Sequence, residues 1–226
     1  MKALPFAHVY HLADAENWPS IRRGGLLSAT RLLKLSGLSM AAQARIEREQ
    51  RRASLTLPSG AVLRDQLPMP PSALARCLVD MTPAEWYALI NSKVFFWFDA
   101  ERLNRQRRAS GISPKAVVMT IDAERLLATH GARAEVSAIN TGNARRKPAI
   151  RGRQSFVPYA TWLESRWVSE GAALGLRPRP ASHRPVELTI GDGLPDAMDF
   201  VVSLSHLGRD EPFERQARTS GSDCNK

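Results

Sequence analysis

The most constraining stretch of the sequence is the apolar run at residues 94–99, which reads Val-Phe-Phe-Trp-Phe-Asp. A short continuous apolar run that ends at a polar residue is typical of a strand buried on both faces. The run therefore predicts the central strand of a buried sheet. Two more strand-like segments set a polar residue into an apolar frame: residues 6–12 contain His11, and residues 185–190 contain Glu187.

The segments between these strands alternate helix and strand signals. Thr82 is followed by Pro83 and, three residues after the cap, by Glu85, which is the pattern of a capping box and predicts a helix over residues 83–91. A first strand and a short capped helix are expected before the glycine pair at 24–25. Further helices are expected at 29–38, 40–53, 72–79, 102–108, 122–129 and 159–168, further strands at 116–121 and 135–139, and a loop with a short hairpin at 55–71.

The chain length and composition indicate one globular unit. Its 226 residues are 43% hydrophobic, which is enough for a substantial core. After Gly208 the sequence becomes polar, so we expect a single domain over residues 1–207 and a disordered tail over 208–226.

The charge balance favours a polyanionic partner. Lysine and arginine total 32 against 22 acidic residues, which gives a net charge of +10, and arginine presents a planar donor fork to phosphates. The basic stretch at 145–153 could hold a nucleic-acid backbone. A solvated surface loop, or arginine enrichment from a high-GC genome, would give the same charge pattern. The candidate nucleic-acid contacts are Arg145, Arg146, Lys147, Arg151 and Arg153.

Several common classes of protein are disfavoured. Cys77 and Cys224 are far apart in unlike settings, and no metal-ligand spacing occurs, so neither a disulfide framework nor a metal site is expected. The sequence lacks the glycine-rich dinucleotide fingerprint, the phosphate loop, the zinc-protease helix motif and the serine nucleophile elbow. No secretory signal or apolar span is visible, so a cytoplasmic protein without membrane association is expected.

Three separated motifs carry a resemblance to a known family. Residues 10–14 (Tyr-His-Leu-Ala-Asp), followed by 17–21 (Asn-Trp-Pro-Ser-Ile) and 25–28 (Gly-Leu-Leu-Ser), are similar to the opening strand, helix and glycine–leucine turn of DarT-type ADP-ribosyltransferases. The aromatic run at 94–98 resembles that group's aromatic strand, and 185–188 (Pro-Val-Glu-Leu) resembles its late strand with the catalytic glutamate. The chain departs from the pattern at Ala13, where the family usually has threonine.

The resemblance implies a fold, an activity and a set of site residues. The implied fold is α+β, an ADP-ribosyltransferase-like split mixed β-sheet core with surrounding helices. The implied activity is NAD-dependent ADP-ribosylation, with NAD as substrate, nucleic acid as the expected acceptor and a toxin or phage-defence role. The implied catalytic residues are Glu187 and Arg52, and the implied NAD contacts are His11, Asn17, Ser28, Phe96, Trp97 and Arg51.

Each of these interpretations has a competitor. His11 could be a satisfied strand histidine and Glu187 an edge-strand glutamate, and the aromatic run is core before it is anything else. A catalytically silent nucleic-acid-binding module with the same fold is the main competing function. An RNA 2′-phosphotransferase would share the fold and the use of NAD, but its arginine–histidine–arginine set has no counterpart that we can place. An antitoxin or another regulatory protein is an expected partner of the transferase.

Overall fold

The fold is organised around a seven-stranded antiparallel sheet flanked by helices. The protein is described by a computed structural model that covers residues 6–109 and 115–214. Across the sheet the strands lie in the order β11-β6-β1-β5-β9-β7-β8, and β2 pairs with β10 and β3 with β4 in two small ribbons. The strands are β1 His8–Asp14, β2 Leu26–Leu27, β3 Leu55–Thr56, β4 Val62–Leu63, β5 Lys93–Trp97, β6 Ala116–Asp122, β7 Ala134–Ser137, β8 Val157–Pro158, β9 Glu187–Gly191, β10 Gly193–Leu194 and β11 Val201–Leu207.

Within residues 6–109 and 115–214, nine α-helices surround these strands. The longest reach nine residues, and 3₁₀ turns connect several of them to the strands. The helices are α1 Trp18–Gly24, α2 Ala29–Lys34, α3 Met40–Arg48, α4 Pro71–Ala75, α5 Pro83–Asn91, α6 Ala100–Arg108, α7 Ala123–His130, α8 Tyr159–Ser165 and α9 Val168–Leu174.

The alternation of side chains along β5 separates two packed regions. Val94 and Phe96 belong to the main hydrophobic core, together with residues of β1, β6, β7 and β9. Phe95 and Trp97 belong to the other face, because successive side chains of a strand point to opposite sides of the sheet. Phe95 packs beside the cluster around α4 and α5, and Trp97 lies in the cluster with Tyr10. The aromatic run is therefore buried on both faces, as the sequence predicts.

The structure confirms much of the expected element pattern. Helix α5 has the predicted bounds and a complete capping box between Thr82 and Glu85. The hairpin expected in the 55–71 loop is β3 and β4, which pair Leu55 with Leu63. The α+β character with a large sheet is confirmed, but the sheet was expected to be mixed, and the strands of the described chain pair antiparallel throughout it.

Several elements were missed by the sequence interpretation: strand β11, helix α9 and the short strands β2, β8 and β10. Strand β11 was not expected, because it mixes apolar and polar side chains without strict alternation and most of them are half-exposed; in the sheet it pairs with β6. The helix expected at 159–168 is shorter: α8 ends at Ser165, the next residue, Arg166, has a positive φ of 56°, and α9 begins at Val168.

The predicted tail begins at residue 208, but residues just beyond that point pack against the domain. Phe213 is buried, its ring lies 5.2 Å from the ring of Tyr10, and its backbone N–H donates to Asn104 at 2.8 Å. Residues 215–226 lie outside the described residues, so the disorder expected there stays a prediction. The helix break expected at residues 111–114 also lies outside them. None of the helices in the described ranges is long and apolar enough to cross a membrane.

Candidate active site

A cleft of about 670 Å³ lies between the central strands, the α3–β4 region and α6. Its volume is in the range that small-molecule and cofactor sites occupy. The cleft brings together five of the residues that the sequence singles out. These are His11, Asn17, Arg51, Trp97 and Glu187.

Strand pairing explains how distant parts of the sequence meet in this cleft. β1, β5 and β9 are consecutive in the sheet, and Tyr10 lies opposite Trp97, which lies opposite Glu187. Ser137 of β7 continues the row beyond Glu187. Directly opposed residues share a face of the sheet, so this row fixes Glu187 beside Trp97 at one edge of the cleft.

Glu187 is buried, with 3% of its surface exposed, and receives three hydrogen bonds from one residue. The Thr141 hydroxyl donates to Oε2 at 2.7 Å, and the Thr141 backbone N–H is shared between Oε1 at 3.3 Å and Oε2 at 3.2 Å. Burial raises the pKa of the Glu187 carboxyl to about 7, although the Thr141 hydrogen bonds and the charges of Arg151 and Arg102 act in the opposite direction. Glu187 can therefore exchange a proton near neutral pH, which is the property of a general acid or base.

His11 lies where β1 and β5 meet, and one of its ring nitrogens is already engaged. Nδ1 lies 2.8 Å from the Phe95 carbonyl oxygen, and a carbonyl can only accept, so Nδ1 carries the proton and donates. Desolvation lowers the pKa of His11 to about 4, and the nearby charge of Arg64 acts in the same direction. The ring is therefore neutral at pH 7, and Nε2 retains a lone pair that can accept a hydrogen bond.

The two neighbouring arginines have different environments. Arg51 lines the cleft, but its guanidinium donates to the carbonyls of Arg64 at 2.9 Å and Ile46 at 3.3 Å and to the Asn91 side-chain oxygen at 3.1 Å. Burial lowers its pKa to about 10. Arg52 is exposed and is not among the residues that line the cleft. The structure therefore does not bring the predicted catalytic arginine to Glu187.

Two of the predicted NAD contacts hold the framework of the site. The Asn17 amide donates to the Val62 carbonyl at 2.9 Å and accepts from the Val62 N–H at 2.8 Å, which attaches β4 to the first helical turn. Ser28 is 1% exposed, and its hydroxyl caps α2 by accepting from the Arg31 N–H at 3.1 Å. Both polar groups are committed to backbone partners, so their main role is to shape the wall of the cleft.

The two aromatic residues predicted to contact NAD, Phe96 and Trp97, lie on opposite faces of the sheet, as the alternation of side chains along a strand requires. Phe96 has no exposed surface and packs in the main core, so it offers no ring face to a ligand. Trp97 and Phe95 line the cleft, and the Trp97 indole N–H donates to the Gln106 side-chain oxygen at 2.7 Å. Phe95 therefore replaces Phe96 as the neighbour of Trp97 at the site.

The basic stretch does not form one continuous surface. Arg145, Arg146, Lys147 and Arg153 are exposed, as a nucleic-acid contact requires. Arg151 is 1% exposed, with its guanidinium 5.8 Å from the centre of the Trp86 ring. A buried guanidinium cannot reach a phosphate backbone, so the expectation that Arg151 contacts nucleic acid is corrected.

Three residues that line the cleft or contact Glu187 were missed by the sequence interpretation. In the sequence Thr141 is only part of a turn, Arg102 is only part of a basic helix, and Arg64 carries no signal. Arg64 forms an ion pair with Asp14 at 2.9 Å, and Arg102 lines the cleft near enough to Glu187 to affect its ionisation. A turn threonine and single arginines are hard to distinguish by sequence, because their importance comes from partners far away in the chain. No metal-binding cluster of histidine, cysteine and acidic side chains occurs within the two described ranges.

Comparison with known proteins identifies a family of unknown function and some distant solved structures. The model of a family described as "Family of unknown function (DUF7002)" matches residues 7–201. The structure of Thermus sp. 2.9 DarT in complex with NAD+ is 13% identical, with a TM-score of 0.41 over 89% of this chain and 83% of that chain. The structure of Thermus sp. 2.9 DarT in complex with ADP-ribosylated ssDNA is also 13% identical, with a TM-score of 0.41 over 90% of this chain and 84% of that chain. No curated protein matches significantly.

Proposed function

The chain belongs to the DUF7002 family, whose function is unknown, and we propose that it is an NAD-dependent ADP-ribosyltransferase with nucleic acid as the acceptor. One observation carries the proposal: a buried carboxyl group, Glu187, with a pKa raised to about 7 on a large cleft that His11 also lines. Strongly perturbed ionisable groups in a cleft mark candidate catalytic sites. The motifs around His11 and Glu187 are also the ones that resemble DarT-type enzymes.

The reaction would need a carboxylate at this position. The bond between C1′ of the nicotinamide ribose and the nicotinamide nitrogen breaks, and its electron pair leaves with nicotinamide. The acceptor's lone pair then forms the new bond to C1′, and the acceptor loses a proton. In its ionised form Glu187 would stabilise the positive charge that develops on the ribose ring and take up that proton. A pKa near 7 suits a base that works at neutral pH.

The other cleft residues suit the remainder of NAD. The free lone pair on His11 Nε2 can accept a hydrogen bond from a ribose hydroxyl. Trp97 and Phe95 offer aromatic surface for the nicotinamide ring, and Arg64 and Arg102 offer positive charge for the pyrophosphate. In this proposal Arg102, rather than Arg52, supplies an arginine at the site, and Arg51 orders the wall of the cleft.

The charge distribution supports a nucleic-acid acceptor. Arg145, Arg146 and Lys147 are exposed on the segment that follows the cleft residue Asn143, and Arg105 lines the cleft on α6. Positive side chains beside a reaction cleft would hold a phosphate backbone close to the reacting atom. The same exposed residues would also serve a catalytically silent binding module, so binding of nucleic acid alone does not test the enzyme.

Nicotinamide release from NAD tests the activity. The purified protein is incubated with NAD alone, with single-stranded DNA and with RNA, and nicotinamide is separated by chromatography. We expect release that is stimulated by one polymer, is lost in Glu187→Gln and is retained in Glu164→Gln, which changes an exposed glutamate on α8. Intact NAD under all conditions, together with retained polymer binding, would refute the transferase and favour the silent module.

A toxin role requires a separate experiment in cells. Induced expression of the wild-type chain in bacteria should arrest growth, and Glu187→Gln should remove the arrest at equal protein levels. Arrest by both forms would show that any toxicity is independent of the proposed chemistry. If the wild-type arrest is confirmed, co-expression of neighbouring genes would identify an antitoxin partner.

A further inference from the structure

Thr141 makes a second connection that leads away from the cleft. Its hydroxyl and N–H both bond the Glu187 carboxylate, while its own carbonyl oxygen accepts a hydrogen bond from Nη1 of Arg151 at 3.1 Å. Thr141 has no exposed surface. Because the N–H and the carbonyl belong to the two peptide groups that flank one residue, fixing the carbonyl restricts the direction of the N–H. The orientation of the carboxylate is therefore coupled to the position of Arg151.

Arg151 is itself held firmly from several sides. Its Nε donates to the Ala149 carbonyl at 3.0 Å, and its side chain also contacts the Cys77 thiol. Its backbone forms an isolated parallel bridge with Leu78. The Arg151 N–H donates to the Cys77 carbonyl oxygen at 2.8 Å, and the Arg151 carbonyl oxygen accepts from the Val79 N–H at 2.8 Å. The guanidinium therefore joins both ends of the loop between residues 141 and 149 to a fixed point beside α4.

Burial of the Arg151 guanidinium destabilises the folded protein unless hydrogen bonds and nearby negative charge compensate for its lost hydration. Moving a cation out of water carries a large desolvation penalty, and desolvation lowers the pKa of Arg151. The guanidinium donates to the carbonyls of Thr141 and Ala149, which are neutral groups, and the Glu187 carboxylate lies close enough to influence it. The nearby cation in turn favours the ionised form of Glu187.

We propose that Arg151, acting through Thr141, is a positioning residue that fixes the Glu187 carboxylate in its reactive orientation and keeps a negative charge available there. This rests on the proposed function for its catalytic meaning, but its physical content concerns only the state of Glu187. Arg151 does not touch the substrate, since it lies behind Thr141. Thr141 and Arg151 together hold the Glu187 carboxylate in place, a role that the highly charged sequence of residues 145–153 does not indicate.

The direct test measures the titration of Glu187 itself. Side-chain carboxyl ¹³C chemical shifts of glutamate-labelled protein are followed between about pH 4 and pH 9 in the wild-type chain, Thr141→Val and Arg151→Met, with Glu187→Gln used to assign the signal. We expect the pKa of Glu187 to rise by about one unit in each variant, because each removes a hydrogen bond or charge that favours the ionised carboxylate. Arg151→Lys should restore part of the difference, since it keeps the charge. Arg76→Met, which removes an exposed arginine next to Cys77, should leave the titration unchanged.

The second readout is the pH profile of nicotinamide release. We expect the midpoint of the kcat profile to move to higher pH in Thr141→Val and Arg151→Met, with the KM for NAD changed less than kcat. An unchanged Glu187 titration in folded Thr141→Val would overturn the proposal, and this variant keeps the test decisive if Arg151→Met does not fold. A shifted titration in a chain that never releases nicotinamide would support the positioning of the carboxylate and refute the transferase, so the two failures are distinguishable.

Discussion

Replacing Glu187 by glutamine is expected to stabilise the folded protein increasingly as the pH rises. The pKa of the carboxyl is about 7 in the folded chain against an ordinary value of 4.5, because burial disfavours the charged form. Between these values the folded state binds more protons than the unfolded state, so the free energy of unfolding falls as the pH rises. At about 1.4 kcal/mol for each pKa unit the full effect is about 3.5 kcal/mol, of which about 2.5 kcal/mol lies between pH 5 and pH 8.

The assay is urea-induced unfolding of both proteins at pH 5, 6.5 and 8. Glutamine retains an oxygen that can accept from Thr141 and cannot ionise, so the stability advantage of Glu187→Gln over the wild type should grow by about 2.5 kcal/mol from pH 5 to pH 8. Other titrating groups are common to both chains and cancel in this difference. Glu164→Gln, on the exposed side of α8, should show no such growth. A constant difference between Glu187→Gln and the wild type at all three pH values would refute the reasoning.

Three further predictions concern the framework of the cleft. The pKa of His11 is lowered to about 4, so the stability that its neutral ring supports is present above pH 6.5 and is lost as the pH falls towards 4. His11→Asn keeps a donor for the Phe95 carbonyl, and the loss of melting temperature between pH 7 and pH 4.5 should therefore be smaller in this variant than in the wild type. Arg51→Met should cost about 3 kcal/mol in urea unfolding because three buried or half-buried hydrogen bonds are lost. Arg52→Met should cost less than about 0.5 kcal/mol, and equal losses would contradict the assigned roles. Gly25 and Gly37 both have positive φ, but a Cβ on Gly25 would lie 2.3 Å from the Leu194 carbonyl oxygen, whereas one on Gly37 meets open space. The melting temperature should therefore fall much further for Gly25→Ala than for Gly37→Ala. Similar falls would show that backbone strain alone determines the loss of stability at both positions.

Elements with local signals were predictable from the sequence. Helix α5 has the predicted bounds because its cap, its first-turn proline and its capping-box glutamate are all within four residues of one another. The central strand and the two strands that carry His11 and Glu187 were placed by apolar patterning. Strand β11 gave no comparable signal, since its side chains are mostly half-exposed and its existence depends on pairing with β6, some 80 residues earlier in the chain.

The roles of the residues in and around the cleft were hard to predict from the sequence. Arg51 and Arg52 are adjacent and chemically identical, and only the fold decides that the first is anchored on the cleft and the second is exposed. Arg151 belongs to a charged segment, which normally indicates a solvated surface, and its burial follows from the bridge with Leu78. Thr141 meets Glu187 across 46 positions of sequence. Such contacts depend on tertiary packing, so residue type and local spacing do not reveal them.

The position of β1 in the sheet has a consequence for synthesis of the protein. Among the strands that the structure describes, β1 is made before the others, but in the finished sheet it lies between β6 and β5, and β9 completes the row that brings Glu187 to the cleft. Contacts between strands so far apart in sequence form late, because long loops must close before they are made. A nascent chain that has been synthesised only as far as β7 therefore contains His11 but not Glu187. The proposed reaction therefore requires that β9 has been synthesised and has paired with β5 in the sheet.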